Sequence, residues 1–282
     1  MIQQLSIEYP LQQLCGVLEV ARSGYYRWLK GQPTARDRAN GQLMQQILRI
    51  FQAKRGTYGS PRVTHELRRL GHRCNHKRVE RLMRQHGLKG RTAKKRKVRT
   101  TLSDHGQPIV PNLLRGRPAP SQPDEVWVAD ITYVPTTEGW LFLAAVMDLY
   151  SRQILGWSLW RGLEAGGPLQ ALHRALANRR HPRGVIHHSD QGIQYACREY
   201  RQQLQRCGFI ASMSRRGNCY DNAAMEAFWS TLKREALEQS PQWSQNQVRR
   251  VVFEYIESIY NRSRLHSSLD YKSPVDFEHQ NS

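Results

Sequence analysis

The chain has 282 residues, of which 43 are Lys or Arg and 23 are Asp or Glu, giving a formal net charge of +20. This charge indicates a polyanionic partner, because phosphates relieve the self-repulsion of a strongly basic globular protein. Five cysteines without a C-x-x-C pair argue against a disulfide framework or a zinc ribbon and predict a reducing, cytoplasmic environment. The longest apolar run, residues 140–147, is far shorter than the roughly 20 residues of a membrane-spanning helix, so no membrane partner is predicted.

The positive charge is concentrated in the N-terminal third of the chain. Residues 1–100 contain 23 Lys or Arg and 5 Asp or Glu, a net charge of +18, whereas residues 101–282 carry only +2. The affinity for a polyanion is therefore predicted to lie mainly in the first 100 residues.

Residues 1–40 are predicted to form a first helix-turn-helix-like segment. Leu11, Leu14 and Leu18 recur at helical spacing, and Ser23 is placed to cap a second helix. Helical hairpins are common, so a packing element without any DNA contact is the alternative interpretation.

Residues 41–88 contain a second helix-turn-helix segment with clearer start and stop signals. A helix with apolar residues from Leu43 to Phe51 is followed by Ser60-Pro61, which is typical of an N-cap and a first helical residue. Gly71 is expected to end the helix that starts there.

The last helix of this segment is predicted to be a recognition helix for DNA. Asn75 is placed to cap it and Gly87 to end it, while Val79 and Leu82 face inward. Its outer face is expected to carry four basic residues, Lys77, Arg78, Arg81 and Arg84. Such side chains can meet phosphates and base edges in a major groove. A merely solvated helix face is the alternative.

Residues 89–124 are predicted to be a basic, proline-rich linker. Seven Lys or Arg lie between residues 89 and 99, and five prolines follow between residues 108 and 123. This composition favours an extended backbone without a core. The candidate phosphate contacts are Lys94, Lys95, Arg96 and Lys97. An inert tether is the alternative.

Residues 125–282 are predicted to form an α/β domain. Strands are expected at 126–134, 140–148, 154–160, 185–189 and 209–213, with helices near 169–176, 198–207, 222–237 and 244–261. A three-stranded meander followed by alternating helix and strand resembles the order of a ribonuclease H-like fold, a mixed five-stranded sheet with flanking helices.

Three acidic residues are the candidate catalytic groups: Asp130 in VWVADITYV, Asp190 in VIHHSDQG and Glu226 in YDNAAMEAFWSTLKRE. Both aspartates are expected at or just beyond strand ends, and Glu226 one turn into a helix. Three convergent carboxylates can hold two divalent cations about 3.5–4 Å apart for phosphodiester chemistry. Mg²⁺, or Mn²⁺, is the expected metal. By spacing alone the trio is weak evidence, because most carboxylates are simply solvated.

The residues around these acids resemble the D,D(35)E core of retrovirus-type integrases and insertion-sequence transposases, and 35 residues separate Asp190 from Glu226. The chain is most similar to the second-reading-frame product of IS3-family transposases. That product carries W-x-x-D-I-T-Y, H-S-D-x-G-x-Q-Y, D-N-A-x-x-E-x-F-x-x-x-L-K-x-E and Y-N-x-x-R-x-H-x-x-L, found here at 127–133, 188–195, 221–235 and 260–269. The resemblance implies a ribonuclease H-like core that cleaves and joins DNA at the inverted-repeat ends of an insertion sequence.

Further residues are predicted to assist the three acids. Lys233 lies two helical turns after Glu226, where similar enzymes have Lys or Arg, and is expected to bind DNA phosphates. Asp221-Asn222 is expected to cap the helix, and Asp148 to make a turn or strand-end hydrogen bond. Candidates for substrate positioning are His188, Gln194, Tyr195, Asn261, Arg264 and His266. For His188 and the three tail residues, packing beside the site is an equal alternative.

The expected partners are double-stranded DNA, at the element ends and at the target, and further copies of the chain, because two ends must be held together. The chain lacks an extended leucine zipper, so the resemblance implies an upstream reading-frame protein as partner or fusion. Two alternative functions stay open: a DNA-binding regulator, and a ribonuclease H-like nuclease without strand transfer.

Overall fold

The computed structural model describes residues 2–31, 33–91, 106–162, 165–215, 222–238 and 240–281. The chain divides into two compact units, Met1–Gly90 and Arg91–Ser282. The linker lysines and arginine predicted to bind DNA, Lys94, Lys95, Arg96 and Lys97, lie outside the described residues. Within the described ranges, no helix has both the length and the apolar character needed to cross a membrane.

The first unit is helical, as the two predicted helix-turn-helix segments require. Its helices are α1 (Ile2–Leu5), α2 (Leu11–Val17), α3 (Arg22–Leu29), α4 (Ala35–Ala53), α5 (Ser60–Arg69) and α6 (His76–Gln85). The apolar positions at helical spacing in α4, α5 and α6 form the interior, in which Ile47, Val63, Leu67 and Val79 are fully buried.

The helix ends of the first unit follow the sequence signals in part. Asn75 caps α6 as predicted, because its Oδ1 accepts the Lys77 N–H at 2.8 Å. Gly71 and Gly87, which follow α5 and α6, have positive φ angles of 85° and 66°, a conformation that favours glycine. The cap predicted at Ser23 is wrong, because α3 already begins at Arg22 and Ser23 lies inside it.

Two further N-caps in this unit differ from the sequence signals. The N-cap of α5 is Gly59 rather than Ser60, which moves Pro61 to the second helical position. The sequence signals also missed Thr34, which caps α4 in a capping box with Asp37.

The second unit contains a five-stranded mixed sheet, as predicted. Its strands are β1 (Val126–Thr136), β2 (Gly139–Asp148), β3 (Ile154–Trp160), β4 (Ile186–Ser189) and β5 (Ile210–Met213). They are arranged in the order β3-β2-β1-β4-β5. The first three strands form an antiparallel meander, whereas β4 runs parallel to both β1 and β5.

Helices cover both faces of this sheet. They are α7 (Gly166–Asn178), α8 (Ile193–Ala196), α9 (Arg198–Arg206), α10 (Ala223–Glu235), α11 (Gln245–Phe253) and α12 (Pro274–Asn281). The predicted single helix 244–261 is α11 continued by π-helical turns over Glu254–Tyr260. Short 3-10 turns occur at Ser240–Gln242 and Ser267–Leu269.

The alternation of side chains along β1 separates two hydrophobic cores. Val126 and Val128 pack in one core with residues of α10 and α11, including Phe228. Trp127 and Ala129 point to the opposite face and pack with residues of α7 and α9. The side chain of Asp130 continues the Val126 and Val128 series, so it belongs to the face that α10 covers.

Both outer strands of the sheet are covered by other parts of the unit. Along β3, the carbonyls of Leu155, Trp157 and Leu159 accept hydrogen bonds from side chains. The donors are Asn178 (2.7 Å), Arg174 (2.7 Å) and Arg249 (3.1 Å).

At the other edge, a segment before the sheet packs on β5. The N–H of Leu113 donates to Ser212 Oγ at 2.9 Å, and the N–H of Met213 donates to the Pro111 carbonyl at 3.4 Å. Residues 106–124, predicted as part of an extended linker, therefore belong to the second unit. Backbone groups of this segment bond to β5, and Leu114 packs against the core.

Candidate active site

Asp130 lies in the middle of β1, opposite Ala145 of β2. The prediction that it ends a strand is wrong for β1 itself, because the hairpin with β2 extends β1 to Thr136. The neighbouring strand β4 is much shorter and pairs with β1 only through Val126–Val128. Beyond that point no strand among the described residues pairs with this side of β1, which leaves an opening in the sheet, and Asp130 lies at this opening.

Asp190 follows β4 directly and therefore reaches the same opening. Its Oδ1 accepts the N–H of Gly192 at 2.9 Å. A Cβ atom at position 192 would lie only 2.9 Å from this carboxylate oxygen, which explains why glycine occupies the turn into α8. Burial, and then the charge of Asp190, raise the pKa of Asp130 to about 7. The two aspartates thus converge as the motifs predicted.

The carboxylate of Asp130 is held by two N–H groups. The N–H of Ile131 donates to Oδ1 at 2.9 Å, and the indole N–H of Trp229 donates to Oδ2 at 2.9 Å. Both bonds favour the ionised form and oppose the rise in the pKa of Asp130. Trp229 was not predicted as a site residue, although its position one turn after Glu226 on the same helix was available from the sequence.

Glu226 projects from the first turns of α10 with an exposed side chain. Partial burial of its carboxyl group raises its pKa, and its charge is the smallest of the contributions that raise the pKa of Asp130. Asn222 occupies the N-cap position without capping through its side chain; its Nδ2 instead donates to the carbonyl of Ala129 at 3.2 Å. Asp221, predicted as part of this cap, lies outside the described residues.

The three carboxylates are therefore not equally close. Asp130 and Asp190 interact strongly, and Glu226 acts on Asp130 more weakly. In the described part of the chain, no three His, Cys, Asp or Glu side chains are placed to hold a metal ion as they stand. A metal bound by all three would require the exposed Glu226 side chain to turn toward the two aspartates.

Two tyrosines border the aspartates. The pKa of Tyr133 is raised by burial and then by Asp190 and Asp130. Tyr195 is 2% exposed, and its pKa is raised well above the ordinary value by burial, by Tyr200, and by the two aspartates. Its hydroxyl has no hydrogen-bond partner among the residues that the structure describes. A buried hydroxyl in need of a partner beside two carboxylates fits a site for a hydrated hard cation.

Lys233 lies on the exposed face of α10, as its spacing from Glu226 predicted. Loss of solvent around its ammonium group lowers its pKa, and the charge of Asp130 opposes this change. The side chain is therefore near enough to Asp130 to be attracted by it. Gln194 lies on α8, two residues after Gly192, and is partly buried.

His188 is buried between β4 and β5, where its Nδ1 is hydrogen-bonded to Ser212 Oγ at 2.9 Å. The adjacent His187 contacts the Tyr200 hydroxyl at 3.0 Å on the other face of the sheet. Burial, and then the neighbouring His188, lower the pKa of His187 to about 3. The contact of His188 Nδ1 lies within the sheet and agrees with the packing alternative, and substrate positioning by His188 stays a prediction.

The tail residues Asn261, Arg264 and His266 are also buried in the unit. Asn261 accepts the N–H of Ile154 and donates to its carbonyl, both at 2.9 Å, and so fixes the start of β3. His266 packs edge-on against Tyr260, with ring centroids 4.8 Å apart. The side chains of Asn261 and Arg264 bond to other parts of the protein, which agrees with the structural alternative, and substrate positioning by the three residues stays a prediction.

Arg264 forms a buried ion pair with Glu235 at the end of α10. Its Nε and Nη2 each donate to one oxygen of Glu235 at 3.0 Å. The Tyr255 hydroxyl donates to the same carboxylate at 2.8 Å. Two of the sequence motifs, 221–235 and 260–269, therefore meet in one ion pair that anchors the helix carrying Glu226.

Asp148 has the turn role that was predicted. Its Oδ1 accepts the N–H and the hydroxyl of Ser151, at 2.7 and 3.0 Å, and its Oδ2 accepts the N–H of Asp124 at 2.8 Å. It is fully buried, and burial raises its pKa.

The basic residues predicted on α6 differ in their exposure. Lys77 and Arg84 are exposed, and Arg81 is half-buried. Arg78 is also half-buried, because its Nε donates to Asn40 Oδ1 of α4 at 2.9 Å. A concavity of about 520 Å³ between α4 and α6 is lined by Arg36, Ala39, Lys77, Arg78 and Arg81. Arg36 was not predicted to contribute to this basic surface.

The comparisons with known proteins agree with this architecture. Residues 120–219 and 208–274 match two models described as integrase core domain, and residues 38–96 match an HTH-like domain. The insertion element IS600 uncharacterized 31 kDa protein of Shigella sonnei is 43% identical to this chain, over 94% of this chain and 97% of that protein. Transposase InsF for insertion sequence IS3A of Escherichia coli (strain K12) is 39% identical, over 99% of this chain and 98% of that protein.

Among solved structures, the HTLV-2 integrase catalytic core domain in complex with magnesium is similar at 13% identity and a TM-score of 0.43. The match covers 56% of this chain and 98% of that chain. The family assignment depends on the sequence relatives and not on this likeness.

The fold and the site define a protein with an integrase core and an HTH-like helical domain before it. The chain belongs to the IS3 family of insertion-sequence transposases. Its function is that of a DNA transposase, and its core is that of a polynucleotidyl transferase.

Proposed function

We propose that this transposase cleaves DNA at the inverted-repeat ends of an insertion sequence and joins the freed ends to target DNA, with divalent cations held by Asp130, Asp190 and Glu226. The observation that carries this proposal is the convergence of Asp130 and Asp190 at the open side of β1. The helix of Glu226 is hydrogen-bonded to Asp130 itself through Trp229. These contacts support a single metal-dependent site on the second unit.

Carboxylate oxygens are the ligands that Mg²⁺ and Mn²⁺ prefer, so the donor set fits two such ions. When bound, divalent cations make an attacking water or 3′-hydroxyl more nucleophilic and stabilise the leaving oxygen. Asp130 is already oriented by two N–H donors. In this proposal Lys233, exposed on α10, binds a phosphate of the DNA, and the buried Tyr195 hydroxyl supplies a hydrogen bond at the site.

The decisive experiment is an incubation of the purified full chain with a labelled end fragment, target DNA and Mg²⁺, with and without the upstream reading-frame protein. Strand-joined product supports the proposal. Nicking without joining supports the nuclease alternative, and binding without cleavage supports the regulator. Because two ends must be joined together, we also propose that several copies act on one DNA complex, in the cytoplasm where the chromosome is located.

Metal binding is expected to strengthen as the pH rises through about 7. A cation binds the ionised carboxylate, and the pKa of Asp130 in the metal-free protein is about 7. Below this value, metal binding displaces a proton, so the apparent affinity should rise by roughly tenfold per pH unit and level off above it. Calorimetric Mn²⁺ titrations across this range measure the effect. A flat profile would show that Asp130 is ionised throughout.

The exposed basic residues of α6 are expected to set the salt dependence of DNA binding. Lys77→Ala and Arg84→Ala should each weaken binding to all sequences and lower the slope of log K against log salt by about 1. Fluorescence anisotropy at several salt concentrations measures the slope. Arg69→Ala is the matched control. The substitution removes the same charge, but Arg69 Nη2 is already paired with Glu66 Oε2 at 3.0 Å. Equal effects of all three variants would contradict a DNA-binding face on α6.

A further inference from the structure

The indole of Trp229 is fixed in one orientation beside Asp130. The side chain is 6% exposed and packs in the core between the sheet and α10. Its ring contacts Phe228, with centroids 4.7 Å apart. An indole held in this way can direct its N–H only along one line, and that line ends at Asp130 Oδ2, 2.9 Å away.

Both oxygens of Asp130 consequently have a donor of their own. Oδ1 is paired with the N–H of Ile131 and Oδ2 with Trp229, so rotation of the carboxylate would break at least one bond. Each oxygen of a carboxylate can accept more than one hydrogen bond or ligand, so the remaining lone pairs stay available for a cation. The two donors therefore restrict the orientation of the group without blocking it.

The same interaction sets the position of Glu226. Asn222, four residues before Glu226, donates to the carbonyl of Ala129, and Trp229, three residues after it, donates to Asp130. Two hydrogen bonds on either side of Glu226 thus join α10 to two successive residues of β1. A shift of α10 along the strand would break both.

We propose that Trp229 is a positioning residue, whose N–H orients the Asp130 carboxylate for a divalent cation and keeps the helix of Glu226 in register with β1. This inference depends on the proposed metal-binding role of Asp130. Partners that orient a metal ligand typically change metal affinity by 10- to 100-fold when they are removed. A tryptophan that only fills space in the core would have no such effect on the metal.

The test compares Trp229→Phe with Trp157→Phe. Trp157 is a matched control, because its indole N–H also donates to a carboxylate, Glu257 Oε1, at 2.8 Å, but on β3 at the outer edge of the sheet. Mn²⁺ affinity is measured on the full chain by electron paramagnetic resonance of the free ion, and thermal unfolding is recorded in parallel. We expect Trp229→Phe to weaken Mn²⁺ binding by about 10- to 100-fold and Trp157→Phe to leave it unchanged.

A second variant separates the N–H from the packing of the ring. Benzothienylalanine at position 229 keeps the bicyclic shape and replaces the N–H by sulfur, so it also serves if Trp229→Phe fails to fold. Weakened Mn²⁺ binding in this variant supports the inference, and unchanged binding overturns it.

Asp130→Asn tests the assumption beneath the inference. Mn²⁺ binding that is lost in Asp130→Asn but normal without the Trp229 N–H would overturn the role of Trp229 and leave the proposed function intact. Mn²⁺ binding that survives in Asp130→Asn would instead overturn the metal role of Asp130.

Discussion

Glu226→Gln is expected to bind DNA as well as the unchanged protein while losing cleavage activity by about 10³-fold or more. The substitution keeps the size of the side chain and removes one charged metal ligand. Metal ions contribute several kcal/mol of transition-state stabilisation, and each 1.36 kcal/mol corresponds to a factor of ten in rate. DNA affinity should persist, because the net positive charge is concentrated in residues 1–100.

Cleavage of a labelled end fragment and anisotropy binding measure the two properties of this variant separately. Glu238→Gln is the control: it makes the same chemical change at an exposed carboxylate of the same unit, beyond the end of α10. Both properties should be normal in the control. Normal cleavage by Glu226→Gln together with lost binding would contradict the assignment of cleavage to Glu226 and of DNA affinity to residues 1–100.

Arg264→Met is expected to destabilise the second unit by about 3–5 kcal/mol. The side chains of Arg264 and Glu235 are only 5% and 2% exposed, so removal of the arginine leaves a buried carboxylate without its main counter-charge. The neighbouring Arg234 lies 3.4 Å from the same carboxylate and has one weaker contact to offer. Cleavage activity should fall along with stability, because Glu235 ends the helix that carries Glu226.

Urea unfolding followed by tryptophan fluorescence measures this loss, because six of the seven tryptophans lie in the second unit. Arg262→Met is the control, since Arg262 is exposed two residues away. The double variant Glu235→Met, Arg264→Met should recover much of the stability, because a buried ion pair can be replaced by apolar side chains of similar size. A double variant no more stable than the single one would contradict this account of the pair.

Much of the sheet could be predicted from the sequence. The strands from Val126 to Trp160 are apolar, rich in β-branched and aromatic residues and separated by short turns, which are local signals. The convergence of Asp130 and Asp190 was predicted through the motifs around them. The position of Asp130 inside its strand could not be predicted. The length of β1 depends on its pairing with β2, whereas the opening beside Asp130 depends on where β4 ends.

The roles of the tail residues required the three-dimensional structure. Asn261 binds the backbone of Ile154, which is 107 residues earlier in the chain, and Arg264 binds Glu235 across 29 residues. A polar residue in a loop motif is compatible with substrate binding or with such a long-range bond, and spacing alone does not separate the two. Trp229 was missed for a related reason: an aromatic residue on a buried helix face is usually interpreted as packing, and its N–H is ignored.

The covered edges of the sheet have a consequence for the proposed action of several copies on one DNA complex. Copies at high local concentration with unpaired edge strands would tend to form backbone hydrogen bonds with one another and aggregate. Here the outward carbonyls of β3 are occupied by Asn178, Arg174 and Arg249, and β5 lies beneath the segment around Leu113. Copies that meet on DNA as proposed would therefore recognise one another through side chains and not through backbone pairing of these two strands.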